Sequence, residues 1–197
     1  MKNKKHYKTL QNNIIDSSRA ANELINDEEL MQIFHDAVSH VIECYKSGGK
    51  IYIAGNGGSA ADAPHLAAEF VSKLARDRNP LPAEALTTDS SIITAIGNDY
   101  GFDEIFSRQL CGKLKGNDVF LGITTSGKSK NILKALSQCQ SLGVRTIVFS
   151  GHNGGVASKN SDYCICVPGI RTSTIQELHI ILAHTLCECV EEALFPI

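Results

Sequence analysis

The 197-residue chain lacks both a strong excess of charge and a long apolar run. Its formal net charge is -2, which disfavours a nucleic-acid partner bound through a large basic surface. No apolar run approaches the roughly 20 residues that cross a bilayer, so we expect no membrane partner. No apolar stretch follows the basic residues 1–6, so we expect no secretory signal peptide.

The chain also lacks a C-x-x-C motif, although it has 7 cysteines. The closest pairs, Cys164 with Cys166 and Cys187 with Cys189, are each two residues apart. In a strand or a helix that spacing favours neither shared zinc ligation nor a disulfide. We therefore expect reduced, buried thiols in a cytoplasmic protein.

Internal repeats, low-complexity tracts and linkers are absent as well, which favours a single domain over residues 1–197. Hydrophobic residues make up 43% and charged residues 20%, as in a globular protein. We divide the domain into an N-terminal helical extension, residues 1–48, and an α/β core, residues 50–197. The polar, proline-containing segment 76–82 is predicted to be a loop that extends from the core.

Two helices are predicted before the core. Asp27 can cap the second one, which carries an apolar stripe from Leu30 to Tyr45 and ends at Gly48-Gly49. A weaker helix over residues 9–25 precedes it. Such apolar faces pack either on another subunit or on the protein's own sheet.

From Lys50 onward, short apolar runs alternate with helical segments. This pattern predicts an α/β fold with a parallel sheet covered on both faces. The predicted strands are residues 51–54, 83–86, 119–123, 146–149 and 164–167. The predicted helices are residues 64–74, 90–96, 103–114, 132–142 and 174–194.

Two glycine-rich turns match well-known motifs. Residues 55–60 (GNGGSA) fit the dinucleotide fingerprint, but the acidic residue in the expected window, Asp77, lies in a loop. Residues 122–129 (GITTSGKS) fit a P-loop, but no later strand ends in an acidic residue that could hold magnesium. Gly122 also falls within the apolar strand, so the turn begins near Thr124. Both motif interpretations are therefore disfavoured.

The two turns share a feature that is more informative than either motif. Each places small residues, free N–H groups and hydroxyls at a helix N-terminus after a strand, which favours an anion. We predict a site for a phosphorylated small molecule at these turns. The structural alternative is that both are only tight turns. The hydroxyls that could surround the phosphate are Thr124, Thr125, Ser126 and Ser129, with Ser59 from the first turn.

Four segments resemble a known family in order and spacing: GNGGSAADAPHLAAEF, AIGNDYGFDEIFSRQL, LGITTSGKSKNI and IQELHIILAH. They are similar to the phosphoheptose isomerases, which belong to the sugar-isomerase (SIS) domain group. The resemblance extends from about Leu10 to the C-terminus. It implies a flavodoxin-like SIS domain, with a five-stranded parallel sheet flanked by helices. It also implies a homotetramer, with the N-terminal helices packed in the oligomer and active sites between subunits.

The family activity implied is the conversion of sedoheptulose 7-phosphate to D-glycero-D-manno-heptose 7-phosphate. This product feeds bacterial heptose synthesis for lipopolysaccharide or capsule. The resemblance also implies one zinc ion per subunit, at His65, Glu69, Gln176 and His184. The implied substrate-binding residues are Asn56, Gly57, Gly58, Ser59, Glu69, Asn98, Asp99, Thr124, Thr125, Ser126, Ser129 and Gln176.

The spacing of the four implied zinc ligands also suits a metal site. His65 and Glu69 are four residues apart and share a helix face, and Gln176 and His184, eight apart, roughly do so. Two imidazoles and a carboxylate make zinc plausible. We assign Glu69 as the base that moves a proton through an enediol, and His184 as the acid/base on the sugar oxygens. The alternative for Glu69 is a carboxylate on a solvated helix face, and the alternative for His184 is a buried core histidine. We adopt the core interpretation for His179.

Some residues depart from the family pattern. Lys128 stands where relatives often have Asn, Pro64 is expected to start or kink its helix, and Ser173-Thr174 replaces an Arg. The C-terminal Leu-Phe-Pro, residues 194–196, is similar to a sequence in non-catalytic SIS proteins that bind a replication initiator. Such a partner-binding role, or sugar-phosphate sensing, is the alternative function. The presence of Glu69, Gln176 and His184 favours the isomerase.

Overall fold

The computed structural model describes residues 5–196, and residues 1–4 of the basic N-terminus lie outside this range. The strands in it are β1 (Ile51–Gly55), β2 (Ala83–Ala85), β3 (Val119–Thr124), β4 (Arg145–Gly151) and β5 (Tyr163–Val167). The α-helices in it are α1 (Lys5–Ile25), α2 (Glu28–Lys46), α3 (Gly58–Val71), α4 (Ser90–Tyr100), α5 (Ser107–Lys113), α6 (Lys130–Ser141) and α7 (Thr172–Leu194). No helix within residues 5–196 is both long and apolar enough to cross a membrane.

The five strands form one sheet in the order β2-β1-β3-β4-β5, and all neighbouring pairs are parallel. This is the flavodoxin-like order, and it confirms the predicted fold class. In such sheets ligands bind at the carboxyl ends of the strands where the strand order reverses. Here that point lies between β1 and β3, the strands that precede the two glycine-rich turns.

Alternating side chains of the strands pack into two separate hydrophobic cores, one on each face of the sheet. Ile51 and Ile53 of β1 face the layer formed by α1, α2, α3 and α7. Tyr52 and Ala54 face the opposite layer, which contains α4, α5 and α6. The predicted burial of both sheet faces is confirmed.

The second N-terminal helix packs on the protein's own sheet, whereas the first is mostly exposed. Asp27 caps α2 as predicted, because its carboxylate accepts the Leu30 N–H at 2.9 Å. Six residues of α2 are buried, and they join the same core as β5 and α7. Only Ala20 and Leu24 are buried on α1.

Helix α3 differs from its prediction in both bounds. It runs from Gly58 to Val71 rather than from 64 to 74, so Pro64 lies inside the helix and does not start it. Proline has no N–H to donate to the carbonyl of residue 60. The Thr87 hydroxyl, after β2, donates to that Ala60 carbonyl at 3.0 Å and replaces the missing bond.

The predicted helix over residues 103–114 is also divided. A short 3-10 turn covers Phe102–Glu104, and α5 follows it at Ser107. Ile105 and Phe106 lie between the two pieces and are buried. Both side chains belong to the core between the sheet and α6.

Candidate active site

The two glycine-rich turns lie side by side at the carboxyl edge of β1 and β3. Asn56 of the first turn and Asn131 of α6 exchange two side-chain hydrogen bonds, at 2.8 and 2.9 Å. Asn131 is buried, and its side-chain oxygen also accepts the Ile132 N–H. The predicted proximity of the turns is therefore real. Asn131 was missed by the sequence analysis because its partner is 75 residues away.

The turn after β3 concentrates hydroxyl groups at the start of α6. The Oγ1 of Thr124 and the Oγ of Ser129 are 2.9 Å apart, and Ser126 Oγ accepts the Lys128 N–H at 3.2 Å. Ser129 is the N-cap residue of α6, yet its side chain makes no capping bond to the helix. The first N–H groups of α6 and these hydroxyls suit an anion such as a phosphate.

Glycine is required where this turn touches the segment after β4. Gly127 has a φ of +63°, and a Cβ there would lie 1.9 Å from the Gly154 carbonyl oxygen. The N–H groups of Val156 and Ala157 both donate to the Gly127 carbonyl. Residues 154–157 thus support the turn from behind.

The first turn also allows a close approach by α7. A Cβ on Gly58 would lie 2.5 Å from the Nε2 atom of Gln176, so a larger residue there would displace this amide. Gln176 is thereby brought beside residues 56–59. Ser59 is buried at the start of α3.

Helices α3 and α7 bring His65, Glu69 and His184 together. The Nε2 atoms of His65 and His184 are 2.9 Å apart, and the rings meet edge to face. The Nδ1 atom of His65 lies 3.9 Å from Glu69 Oε1. The side chains of His65 and Glu69 are 45% and 20% exposed, so a small molecule can reach both.

The amide of Gln176 lies against Gly58, and no described hydrogen bond joins it to His65, Glu69 or His184. Within residues 5–196, no three His, Cys, Asp or Glu side chains converge in a metal-binding arrangement. The structure therefore brings two of the four expected zinc ligands, His65 and His184, into contact, with Glu69 one helical turn from His65.

A buried ion pair that the sequence analysis missed ties these two helices together. Arg78 and Glu191 have side chains only 1% exposed, with Arg78 Nε 2.8 Å from Glu191 Oε1. Arg78 also donates to the carbonyl of Glu69 at 2.8 Å and to that of Phe70 at 2.7 Å. The end of α3 that carries Glu69 is thus held against α7.

The electrostatics of Glu191 agree with this role. Burial alone would raise the pKa of its carboxyl group. The N–H groups of residues 74–76 and the Arg78 guanidinium more than offset burial, so this pKa is lowered. A glutamate beside Val190 on a buried helix face is the signal that could have revealed the pair.

His179 is a core histidine, which confirms its predicted structural role. It is 1% exposed, and its Nε2 atom lies 3.1 Å from the Ser150 carbonyl oxygen. The Ser150 hydroxyl in turn donates to the Thr124 carbonyl at 2.8 Å. Burial lowers the pKa of His179 to about 4, so the ring is neutral near pH 7.

Asn98 and Asp99 contact each other on α4. Both are exposed on α4, and Asn98 donates to the Asp99 carboxylate at 2.8 Å. No described hydrogen bond joins either residue to the other predicted site residues. Their role in substrate binding stays a prediction.

The fold and the paired turns place this chain in a known class. Residues 15–151 match the family model described as "SIS domain", so the protein carries a SIS domain. The chain is 48% identical to the phosphoheptose isomerase of Aneurinibacillus thermoaerophilus over 186 residues, 94% of each chain. It belongs to the phosphoheptose isomerase family and is an isomerase.

Solved structures give the same result. The phosphoheptose isomerase of Neisseria gonorrhoeae superimposes with a TM-score of 0.88 at 38% identity, covering 94% of this chain and 98% of that one. The structure from Francisella tularensis gives 0.90 at 33% identity, covering 95% and 98%. The substrate class is accordingly a sugar phosphate. The prediction of an enzyme is confirmed over the non-catalytic alternative.

Proposed function

We propose that the protein interconverts sedoheptulose 7-phosphate and D-glycero-D-manno-heptose 7-phosphate. The observation that carries this proposal is the contact between His65 of α3 and His184 of α7, with Glu69 beside His65. The relatives named phosphoheptose isomerase support a seven-carbon sugar phosphate as the substrate. The proposed setting is the bacterial cytoplasm, where the product enters heptose synthesis for lipopolysaccharide or capsule.

In the proposed reaction the substrate phosphate binds the turn after β3. Its negative charge is balanced by the N-terminus of α6, and Thr124, Thr125, Ser126 and Ser129 supply hydrogen bonds. Lys128 is exposed beside this turn and adds a positive charge. Binding energy from the phosphate orients the distant reacting carbons, which is how a non-reacting group contributes to rate.

Proton transfer is proposed at the surface shared by α3 and α7. Glu69 removes a proton from C1 of the ketose, which gives an enediol, and returns a proton to C2. His184 moves the matching proton between the oxygens on C1 and C2. Each proton that leaves one atom is delivered to its neighbour, so no redox cofactor is needed. General acid–base help of this kind contributes about 10²–10⁴-fold in rate.

The first prediction tests Glu69 directly. We expect Glu69→Gln to lower kcat by roughly 10²-fold or more, because the amide cannot accept the proton. The measurement is NMR of the heptose 7-phosphate formed from sedoheptulose 7-phosphate. Glu43→Gln is the matched control, because Glu43 is an exposed residue of α2 paired with Lys46. Wild-type turnover by Glu69→Gln would remove Glu69 from this role.

A zinc ion at His65, Glu69, Gln176 and His184 remains part of the proposal. Two imidazole nitrogens that share one tetrahedral zinc, each at about 2.0–2.1 Å, would lie roughly 3.3 Å apart. The two Nε2 atoms are 2.9 Å apart, so a small ring rotation would bring them to this distance. The nearby carboxylate and amide are further donors of suitable type, although Gln176 would have to leave Gly58. When bound, zinc would polarise the sugar carbonyl as a Lewis acid.

The second prediction therefore concerns metal content. We expect about one zinc per subunit in gently purified protein, by mass spectrometry of the metal. His65→Ala and His184→Ala should each lose most of it, while His35→Ala, on the exposed side of α2, should not. Metal-free protein with full turnover would contradict the zinc proposal and leave the isomerase proposal standing.

We also propose a homotetramer with sites between subunits. The support is the exposed apolar face of α1, where Leu10, Ile14 and Ile15 are each more than half exposed. Apolar side chains at such density on one helix are typical of an interface.

A further inference from the structure

The edge strand β5 carries a close pair of thiols that the isomerase reaction does not use. Cys164 and Cys166 lie on the same side of the strand, and their Sγ atoms are 3.6 Å apart. Both are free and half-buried. The other pair at this spacing, Cys187 and Cys189 on α7, makes no such contact among the described residues, and Cys187 is buried.

The two sulfurs are close, yet the strand prevents a direct bond between them. Alternate residues of a strand are about 6.6 Å apart, and their Cβ atoms keep about this separation because they point to the same side. A disulfide needs its two Cβ atoms within roughly 3.5–4.5 Å of each other. A single atom inserted between the sulfurs removes this conflict. If it bonds each sulfur at about 2.3 Å, the observed 3.6 Å separation gives an angle of roughly 100° at that atom.

The number of available ligands limits what that atom can be. No third His, Cys, Asp or Glu converges with the pair within residues 5–196. The protein therefore supplies only two ligands, both thiolates, to the inserted atom. A monosubstituted trivalent arsenic, with one carbon substituent and two exchangeable oxygens, meets this requirement, whereas a tetrahedral metal ion needs two more ligands.

We propose that Cys164 and Cys166 form a chelating site for a monosubstituted trivalent arsenical. Two As–S bonds form and two As–O bonds break. The two thiol protons leave with the two hydroxyl groups as two water molecules, and no oxidation state changes. The site lies outside the residues assigned to catalysis.

The pair also lies directly behind the turn that is proposed to bind phosphate. A Cβ on Gly154 would be 2.7 Å from Cys166 Sγ and 3.1 Å from Cys164 Sγ, so both sulfurs lie close to this residue. The Gly154 carbonyl in turn packs against Gly127. We expect an arsenic atom held by both sulfurs to crowd Gly154 and so to weaken phosphate binding at the turn. This consequence, unlike the chelation itself, rests on the proposed function.

The chelation is tested by intact-protein mass spectrometry with phenylarsine oxide in excess glutathione. A single thiol adduct is removed by the competing monothiol, while a two-thiol chelate persists. We expect one adduct per subunit on the wild-type protein and on Cys111→Ser, which removes the exposed lone thiol. Cys164→Ser and Cys166→Ser should bind roughly 10²–10⁴-fold more weakly, the usual gain from a second tethered contact. Absence of a wild-type adduct, or an equally stable one on either variant, would overturn the proposal.

The link to the turn is tested on the same samples by kinetics. We expect the adduct to raise KM for the sugar phosphate at least threefold, with a smaller change in kcat. Cys166→Ser should keep its KM after the same treatment. An unchanged KM in the modified wild type would overturn the link to the turn. Because the adduct is detected by mass, a failure of the proposed isomerase activity would be recognised separately.

Discussion

At the scale of single residues, His179 shows how burial changes the behaviour of a titratable group. It belongs to α7 like His184, but its ring is enclosed and contacts Phe149 of β4. Its Nδ1 atom is buried without a hydrogen-bond partner among the described residues. A charged imidazolium would be costly there, so protonation and folding oppose each other.

The third prediction follows from this opposition. The pKa of His179 is about 4 in the folded state against 6.5 when unfolded, so the unfolded chain binds the proton more readily. The contribution of His179 to the free energy of unfolding is therefore fully present above about pH 6.5. It falls as the pH drops towards 4, by up to about 3 kcal/mol. Urea unfolding between pH 7 and pH 4.5 measures the slope.

The controls for this measurement are two histidine variants. His179→Gln keeps a donor for the Ser150 carbonyl but cannot titrate, so its free energy of unfolding should vary less over this range. His35→Gln changes an exposed histidine of α2 and should keep the wild-type slope. If the free energy of unfolding depends on pH equally in the wild type and in His179→Gln, then His179 is not the group responsible.

At the scale of elements, α3 is the helix whose integrity depends most on a residue outside it. Pro64 leaves the Ala60 carbonyl without its helical donor, and Thr87 supplies one from the segment after β2. The same helix carries His65 and Glu69. The bond therefore keeps the site-bearing helix continuous across its proline.

The fourth prediction is a double-mutant cycle on this bond. Thr87→Val should lower the free energy of unfolding by about 1–3 kcal/mol, because the Ala60 carbonyl loses its partner. In the Pro64→Ala background the new N–H serves that carbonyl, so Thr87→Val should cost less. The coupling, read from urea unfolding of the four proteins, should be about 0.5–2 kcal/mol. Equal losses in both backgrounds would contradict this explanation.

The element boundaries were predicted well where the signals are local. The Asp27 cap, the positive φ of Gly48 and the alternating cores all lie in or beside the segments that they define. The predicted start of α3 was wrong because proline normally lies in the first turn of a helix. Here Thr87, which follows β2, supplies the hydrogen bond that lets the helix continue through Pro64, and it is 27 residues from its partner Ala60. Arg78–Glu191 was missed for the same reason, since 113 residues separate the partners.

At the scale of the whole molecule, α1 is a helix with little to bury against within one chain. Its exposed apolar residues include Tyr7, Leu10, Ile14, Ile15 and Ile25. The cost of exposing such a surface is removed when it packs on another copy. The proposed homotetramer gives this helix a partner.

The fifth prediction is that Ile14→Glu lowers the oligomeric state. The mutation places a charge within the apolar face of α1, so we expect a shift from the tetramer to smaller species in size-exclusion chromatography with light scattering. Asn12→Glu adds the same charge to the opposite side of the helix and should leave the mass unchanged. A tetramer of Ile14→Glu at the same concentration would exclude this face from the interface.

The sequence by itself determined the order of the elements, the parallel sheet and the two anion-binding turns. These depend on apolar periodicity, capping residues and glycine, which act over a few residues. Only the tertiary structure decided that His65 meets His184, that Asn56 pairs with Asn131 and that two thiols of β5 lie behind the phosphate turn. The reason is that side-chain contacts depend on helix rotation and rotamers, which are set by the packing of segments far apart in the chain.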